Sequence, residues 1–161
     1  MRKILTIEDA IKISKKLKEQ GKTIVLAGGC FDILHIGHIN FLKEAKTYGD
    51  YLFILLESDE RIRKIKGKNR PINIQKDRAE ILSSLCFADY VIILPLFKDN
   101  NNYDNLITAI KPDIIATTKG DTQRIHKERQ AKLINATVVD VVKNISNKST
   151  TRLVKILSKD L

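Results

Sequence analysis

The sequence predicts an α/β fold, a doubly wound parallel sheet of five strands with helices on both faces. Three observations carry this. Short apolar runs alternate with segments of helical period along the chain. The runs are apolar almost throughout, as in residues 51–57 (YLFILLE), which suits strands covered on both faces. Polar and glycine-containing clusters follow the runs, at the carboxyl ends where such sheets bind ligands near their switch point. Strand–helix–strand order of this kind builds right-handed crossovers.

The elements follow in order. Thr6 is a helix N-cap with Asp9 as a weak capping-box partner; Ile7, Ala10, Ile11, Ser14 and Leu17 share one face, and Gly21 ends the helix. Residues 1–21 thus form a helix packed on the core. Residues 23–26 (TIVL) are the first strand, followed by the Gly28-Gly29 turn and a helix marked by Ile39, Phe41, Leu42 and Ala45. Residues 51–57 are the second strand, with Ser58 and Asp59 at its carboxyl end. A basic segment comes next, carrying Arg61, Arg63, Lys64, Lys66, Lys68 and Arg70 with no acid among them; Lys66-Gly67 and Arg70-Pro71 punctuate it as a loop. Asn73 is placed to cap a third helix with Ala79, Leu82, Leu85 and Cys86 inside. Residues 90–94 are the third strand, 98–103 a polar loop, and 105–110 a short helix stopped by Pro112. Residues 114–117 are the fourth strand, 123–133 a polar helix, and 137–142 the fifth strand. Ser149 caps a last helix carrying Leu153, Ile156 and Leu157.

At 161 residues the chain is expected to be one domain, 1–161, with a single core. The net charge of +10 suits an anionic partner, although a solvated helix face accounts for most of the lysines. Two cysteines, Cys30 and Cys86, make no disulfide framework and no metal knuckle. No apolar run approaches a membrane span and no signal-peptide pattern opens the chain, so a cytoplasmic protein without membrane partners is expected.

The chemistry concentrates between Gly28 and His38. A buried strand, a glycine turn and a helix start carry His35 and His38, where unpaired N–H groups and the helix dipole favour a phosphate. Imidazole N–H groups fixed there would stabilise charge building on an attacked phosphorus. The only other histidine is His126, so no protein-held metal cage is expected. The basic segment lacks interleaved aromatic residues, and nucleic acid is not the expected partner.

GGCFDILHIGH resembles the G-x-F-D-x-x-H-x-G-H signature of the cytidylyltransferase-like nucleotidyltransferases, a Rossmann-like fold. Lys66-Gly67, Arg70-Pro71, Arg78, Lys119-Gly120-Asp121 and Ser149-Thr150-Thr151 follow in that family's order. The G-C-F-D form and SDERIRKIKGKNRP resemble the D-glycero-β-D-manno-heptose 1-phosphate adenylyltransferase branch. The chain reads Thr118-Lys119-Gly120-Asp121 where that branch has a Gly-Gly-Asp turn.

The resemblance implies transfer of AMP from ATP, carrying Mg2+, to a sugar 1-phosphate such as heptose 1-phosphate, with release of pyrophosphate. CTP with glycerol 3-phosphate and ATP with FMN are the cousin reactions, and a nucleotide- or RNA-binding module is the non-enzyme alternative. The resemblance makes His35, His38 and Lys66 catalytic. Gly28, Gly29, Cys30, Phe31, Asp32, Gly120, Asp121, Ser149, Thr150 and Thr151 join the histidines at the nucleotide. Lys46, Lys66, Arg70 and Arg78 are implied at phosphates or acceptor. Asp32 has two readings, fixing the turn or helping to hold the Mg2+ triphosphate. A homodimer is implied by resemblance alone.

Overall fold

A computed structural model describes residues 3–143. The core strands β2 (Ile24–Gly29), β3 (Tyr51–Leu56), β4 (Tyr90–Ile93), β5 (Ile114–Lys119) and β6 (Thr137–Lys143) stand where the apolar runs predict them. A sixth strand, β1 (Ile4–Leu5), corrects the expected five. It pairs with β4 through Ile4↔Val91 and Leu5↔Ile92. Two residues are too few to show an alternation, and they lie directly before the Thr6 cap.

All pairs are parallel and the strand order is β1-β4-β3-β2-β5-β6. The chain builds outward from β2 through β3 and β4, then returns to the other side of β2 for β5 and β6. The switch point therefore lies between the carboxyl ends of β2 and β5.

Helices α1 (Ile7–Glu19), α2 (Ile36–Lys46), α3 (Asp59–Lys66), α4 (Gln75–Ser83), α5 (Asn100–Ile110) and α6 (Arg124–Ile134) complete the fold. Successive strand residues face opposite ways. Ile24, Leu26 and Phe53 pack with Leu106 and Ile110 of α5 and Ala131 of α6. Val25, Ala27, Leu52 and Ile54 pack with Leu42 of α2 and Leu82 of α4. No helix among the described residues is long and apolar enough to cross a membrane.

Several local expectations change. The basic segment is helix as far as Lys66, because the Ser58 hydroxyl accepts from the Arg61 N–H at 3.2 Å and Asp59 and Glu60 fill the first turn. Lys66 ends this helix rather than lying in a loop. Ile74, not Asn73, is the α4 N-cap, and it offers no side-chain bond. Cys86 lies beyond α4 and is exposed. The loop expected from residue 98 is helical from Asn100, because Asp99 and Asn102 form a reciprocal capping box. The last helix expected at Ser149 lies outside the described residues.

Candidate active site

The switch point receives the start of α2. His35 is its N-cap, and the His35 Nδ1 accepts the Gly37 N–H at 3.1 Å. His38 lies one turn on, and the two imidazoles stack with centroids 3.9 Å apart and planes 25° apart. Phe31 meets His38 edge-on at 5.3 Å and is itself buried. Its φ of +46° is a left-handed conformation that few bulky residues adopt. Gly29 makes that fold-back possible, since a Cβ there would lie 3.0 Å from the Phe31 ring.

Burial, then the neighbouring His35 and Lys66 charges, push the His38 pKa down to about 4, against a backbone hydrogen bond with Ile33. His38 is therefore neutral near pH 7, and its one N–H donor is engaged by the Ile33 backbone. Burial likewise pushes the Cys30 thiol up, opposed mainly by Lys66, so it stays protonated and is no nucleophile. Lys66 is exposed, and Gly67, with a φ of +100°, caps its helix.

Asp32 is almost fully buried, and both its oxygens are engaged. It accepts from the Arg70 Nε–H and from the backbone N–H groups of Ile72, at 2.7 Å, and Asn73, at 3.1 Å. Asn73 returns its side-chain amide to the Asp32 carbonyl at 2.8 Å. The geometry fits the turn-fixing reading of Asp32. Arg70 is buried against it, yet its Nη2 has no hydrogen-bond partner among the described residues. Asp32→Asn is expected to lower unfolding free energy by about 1–3 kcal/mol, because Arg70 then loses its counter-charge. Urea unfolding checks this; an unchanged midpoint would contradict it.

A cavity of about 400 Å³ opens beside the Gly28-Gly29 turn, between α3, α5 and α6. At its β5 side Asp121 accepts from the Thr117 hydroxyl at 2.7 Å, the Gln123 N–H at 2.9 Å and Lys127 at 2.8 Å. Burial pushes the Asp121 carboxyl up, but the Lys127, Gln123 and Thr117 bonds outweigh it and hold it below its ordinary value. Gly120, with a φ of +83°, turns the chain into this arrangement. At the β3 side stand Glu57, Arg61 and Tyr103.

The structure thus brings Gly28, Gly29, Cys30 and Asp121 to one cavity, with His35 and His38 on the adjoining helix start. Two expected phosphate ligands are committed to protein partners. Arg78 is fully buried, and its guanidinium donates to the carbonyls of Asn73, Cys30 and Glu57 and to the Asp59 carboxylate. Lys46 ends α2, the far end from the histidines, and bonds to Asp89 at 2.7 Å and to the Asp50 carbonyl. Those partners precede β4 and β3, at the amino ends of the strands, so Lys46 cannot reach the site. Ser149, Thr150 and Thr151 lie outside the described residues.

Sequence reasoning passed over Glu57, Arg61, Tyr103, Gln123 and Lys127. Glu57 had a signal, being the charged residue that ends an apolar run. Lys127 had none, because its partner Asp121 lies six positions before it, in the turn ahead of the expected polar helix.

Residues 26–156 match the cytidylyltransferase-like family. The chain belongs to this family. It is similar to bifunctional protein HldE of Aliarcobacter butzleri, 43% identical over 152 residues, covering 94% of this chain and 30% of that protein. HldE of Nitratiruptor sp. is 42% identical over 152 residues, covering 94% of this chain and 31% of that protein. The chain therefore spans about a third of the length of these curated relatives. Among solved structures it resembles the lipopolysaccharide core biosynthesis protein from Thermoplasma volcanium, at TM-score 0.61 and 32% identity, covering 80% of this chain and 100% of that one. Pantoate-beta-alanine ligase from Francisella tularensis shares the fold at TM-score 0.67 and 17% identity, over 99% of this chain and 77% of that one.

Proposed function

We propose that this chain is a nucleotidyltransferase that moves AMP from ATP to heptose 1-phosphate or a similar sugar 1-phosphate. The observation that carries the reading is the stacked His35–His38 pair at the start of α2, beside the glycine turn at the sheet's switch point. The heptose branch resembled by the motifs and the similarity to HldE and to a lipopolysaccharide core biosynthesis protein support a sugar acceptor.

In this reading the acceptor phosphate oxygen attacks the α-phosphorus of ATP, the bond to the β-phosphate oxygen breaks, and pyrophosphate leaves. A phosphate monoester has a second pKa of about 6 and needs no general base near pH 7. The chain's work is positioning and charge stabilisation. His35 donates to the α-phosphoryl oxygens through its Nε2–H, His38 joins it by exchanging its Ile33 bond for a phosphoryl oxygen, the α2 N–H groups add to that field, and Lys66 draws the leaving phosphates. Gly28 and Gly29 let the nucleotide approach the backbone, and Asp121 meets its ribose or base. Ser149, Thr150 and Thr151 belong to the same proposal as phosphate ligands.

Among the described residues no group of three His, Cys, Asp or Glu is arranged to hold a metal, and Asp32 is already engaged. In this proposal Mg2+ enters with ATP as part of the substrate. Residues 1–161 acting as one domain, as a cytoplasmic homodimer, complete the proposal.

The test is a pyrophosphate-release screen crossing ATP, CTP, GTP and UTP with heptose 1-phosphate, glycerol 3-phosphate, FMN and phosphopantetheine. Release is expected with ATP and heptose 1-phosphate. Release with CTP and glycerol 3-phosphate alone would keep the chemistry and move the substrates. Silence across the panel, from a folded protein that binds ATP, would overturn the assigned reaction.

A further inference from the structure

The two ends of the cavity differ in how far their carboxylates are occupied. Asp121 is engaged by three protein donors. Glu57 receives one side-chain donor, the Tyr103 hydroxyl, lying 3.0 Å from each of its oxygens. One O–H supplies one hydrogen, whereas two carboxylate oxygens offer about four lone-pair sites. Glu57 thus faces the cavity with acceptor capacity that the described residues leave unused.

Its position is nonetheless rigid. The Glu57 N–H donates to the Gly29 carbonyl at 3.2 Å, and its own carbonyl accepts from Arg78 at 2.9 Å. Tyr103 is held in turn by an edge-to-face contact with Phe97 at 4.8 Å. Burial raises the Glu57 pKa, against the Tyr103 bond and the Arg61 and Arg78 charges, as expected for an acceptor short of hydration. Arg61 lines the same side, and no hydrogen bond of its guanidinium is found among the described residues.

A fixed carboxylate repels the phosphates of both substrates, so it is poorly suited to bind them. It suits neutral hydroxyl donors. A carboxylate beside a guanidinium can accept from one hydroxyl of a diol and donate to its neighbour. Leu55, Ile65 and Ile107 add apolar wall for carbon-bound faces. The volume, about 400 Å³, falls among small-molecule sites.

We propose that Glu57, held by Tyr103 and assisted by Arg61, binds the hydroxyl groups of the acceptor, making the β3 side of the cavity a polyol subsite. This rests on the nucleotidyltransferase reading, in which Asp121 and the β5 side face the nucleotide. Glu57 is then a specificity residue, not a catalytic one.

Calorimetric titration tests this. Wild type, Glu57→Gln and Arg61→Met are each titrated with heptose 1-phosphate, glycerol 3-phosphate, FMN and, separately, α,β-methylene ATP. Glu57→Gln is expected to weaken the bound polyol phosphate about 10–100-fold, the range for hydrogen bonds to a charged group, and to leave the ATP analogue unchanged. A merely structural role would weaken both ligands together. Should Glu57→Gln fail to fold, Arg61→Met, on a part-exposed helix position, must show the same acceptor-only loss. Equal losses for both ligands, no loss for the polyol phosphate, or wild type binding none of the three polyol phosphates would each overturn the subsite. Glu57-dependent binding of glycerol 3-phosphate or FMN in place of heptose 1-phosphate supports the subsite and overturns only the proposed acceptor. Glu57-dependent polyol binding without binding of the ATP analogue supports the subsite and overturns the transferase reading.

Discussion

Replacing His38 by alanine is expected to lower the rate of nucleotidyl transfer about 10²–10³-fold, the cost of removing one preorganised donor at a developing oxyanion. The fold should survive, because His38 is only partly buried and the neighbouring core of Leu42, Ala45 and Phe41 does not depend on it. His38 is a cleaner probe than His35, whose Nδ1 also caps α2; losing a cap costs about 1 kcal/mol. Single-turnover rates at saturating ATP would isolate the chemical step, and near-normal rates in His38→Ala would remove His38 from the mechanism.

The same residue carries a pH signature. Its folded pKa of about 4 lies below the unfolded histidine value of about 6.5. Between those values the unfolded chain binds more protons than the folded one, so stability rises with pH across the window. This contribution is full above the unfolded pKa and is lost as pH falls toward the folded one. His38→Ala should flatten that part of the stability profile, measured by urea unfolding from pH 4 to 7. An unchanged slope in the variant would mean that other groups set it.

What was legible in the sequence was what is local. The strand–Gly-Gly–helix unit with His35 and His38 is continuous, and its chemistry follows from where a helix begins. Five strands were legible because each is an apolar run long enough to show itself. The edge strand β1 was not, since Ile4 and Leu5 carry no period of their own. Helix α3 was hidden for another reason: of its eight residues only Ile62 is buried, so no apolar stripe marks it. Lys46 could have been set aside from sequence alone. It stands eleven residues beyond His35 on one helix, or about 16 Å at 1.5 Å per residue, pointing away from the site. The Glu57–Tyr103–Arg61 cluster joins a strand end to two helices and has no local signature.

Arg78 is the sharpest case of a residue whose role depends on distant partners, and the second large effect follows from it. In a chain of net charge +10, an arginine between a basic segment and an apolar strand reads as solvated or as a phosphate ligand. Its partners decide otherwise, because Cys30, Glu57 and Asp59 lie 48, 21 and 19 positions away. Through them one guanidinium ties the carboxyl ends of β2 and β3 to α3, and through the Asn73 carbonyl, at 3.0 Å, to the turn before α4. Arg78→Ala is expected to cost about 3–5 kcal/mol, since it leaves a carboxylate and three carbonyls without their buried cation. Arg78→Lys should recover little of this, because an ammonium cannot reproduce a planar fork aimed at four acceptors. Both losses should resist added salt, which screens buried pairs weakly. Urea unfolding of the two variants at low and high salt is the check. A lysine variant with wild-type stability would show that charge alone suffices there, and an alanine variant that unfolds normally but no longer binds ATP would return Arg78 to the phosphates.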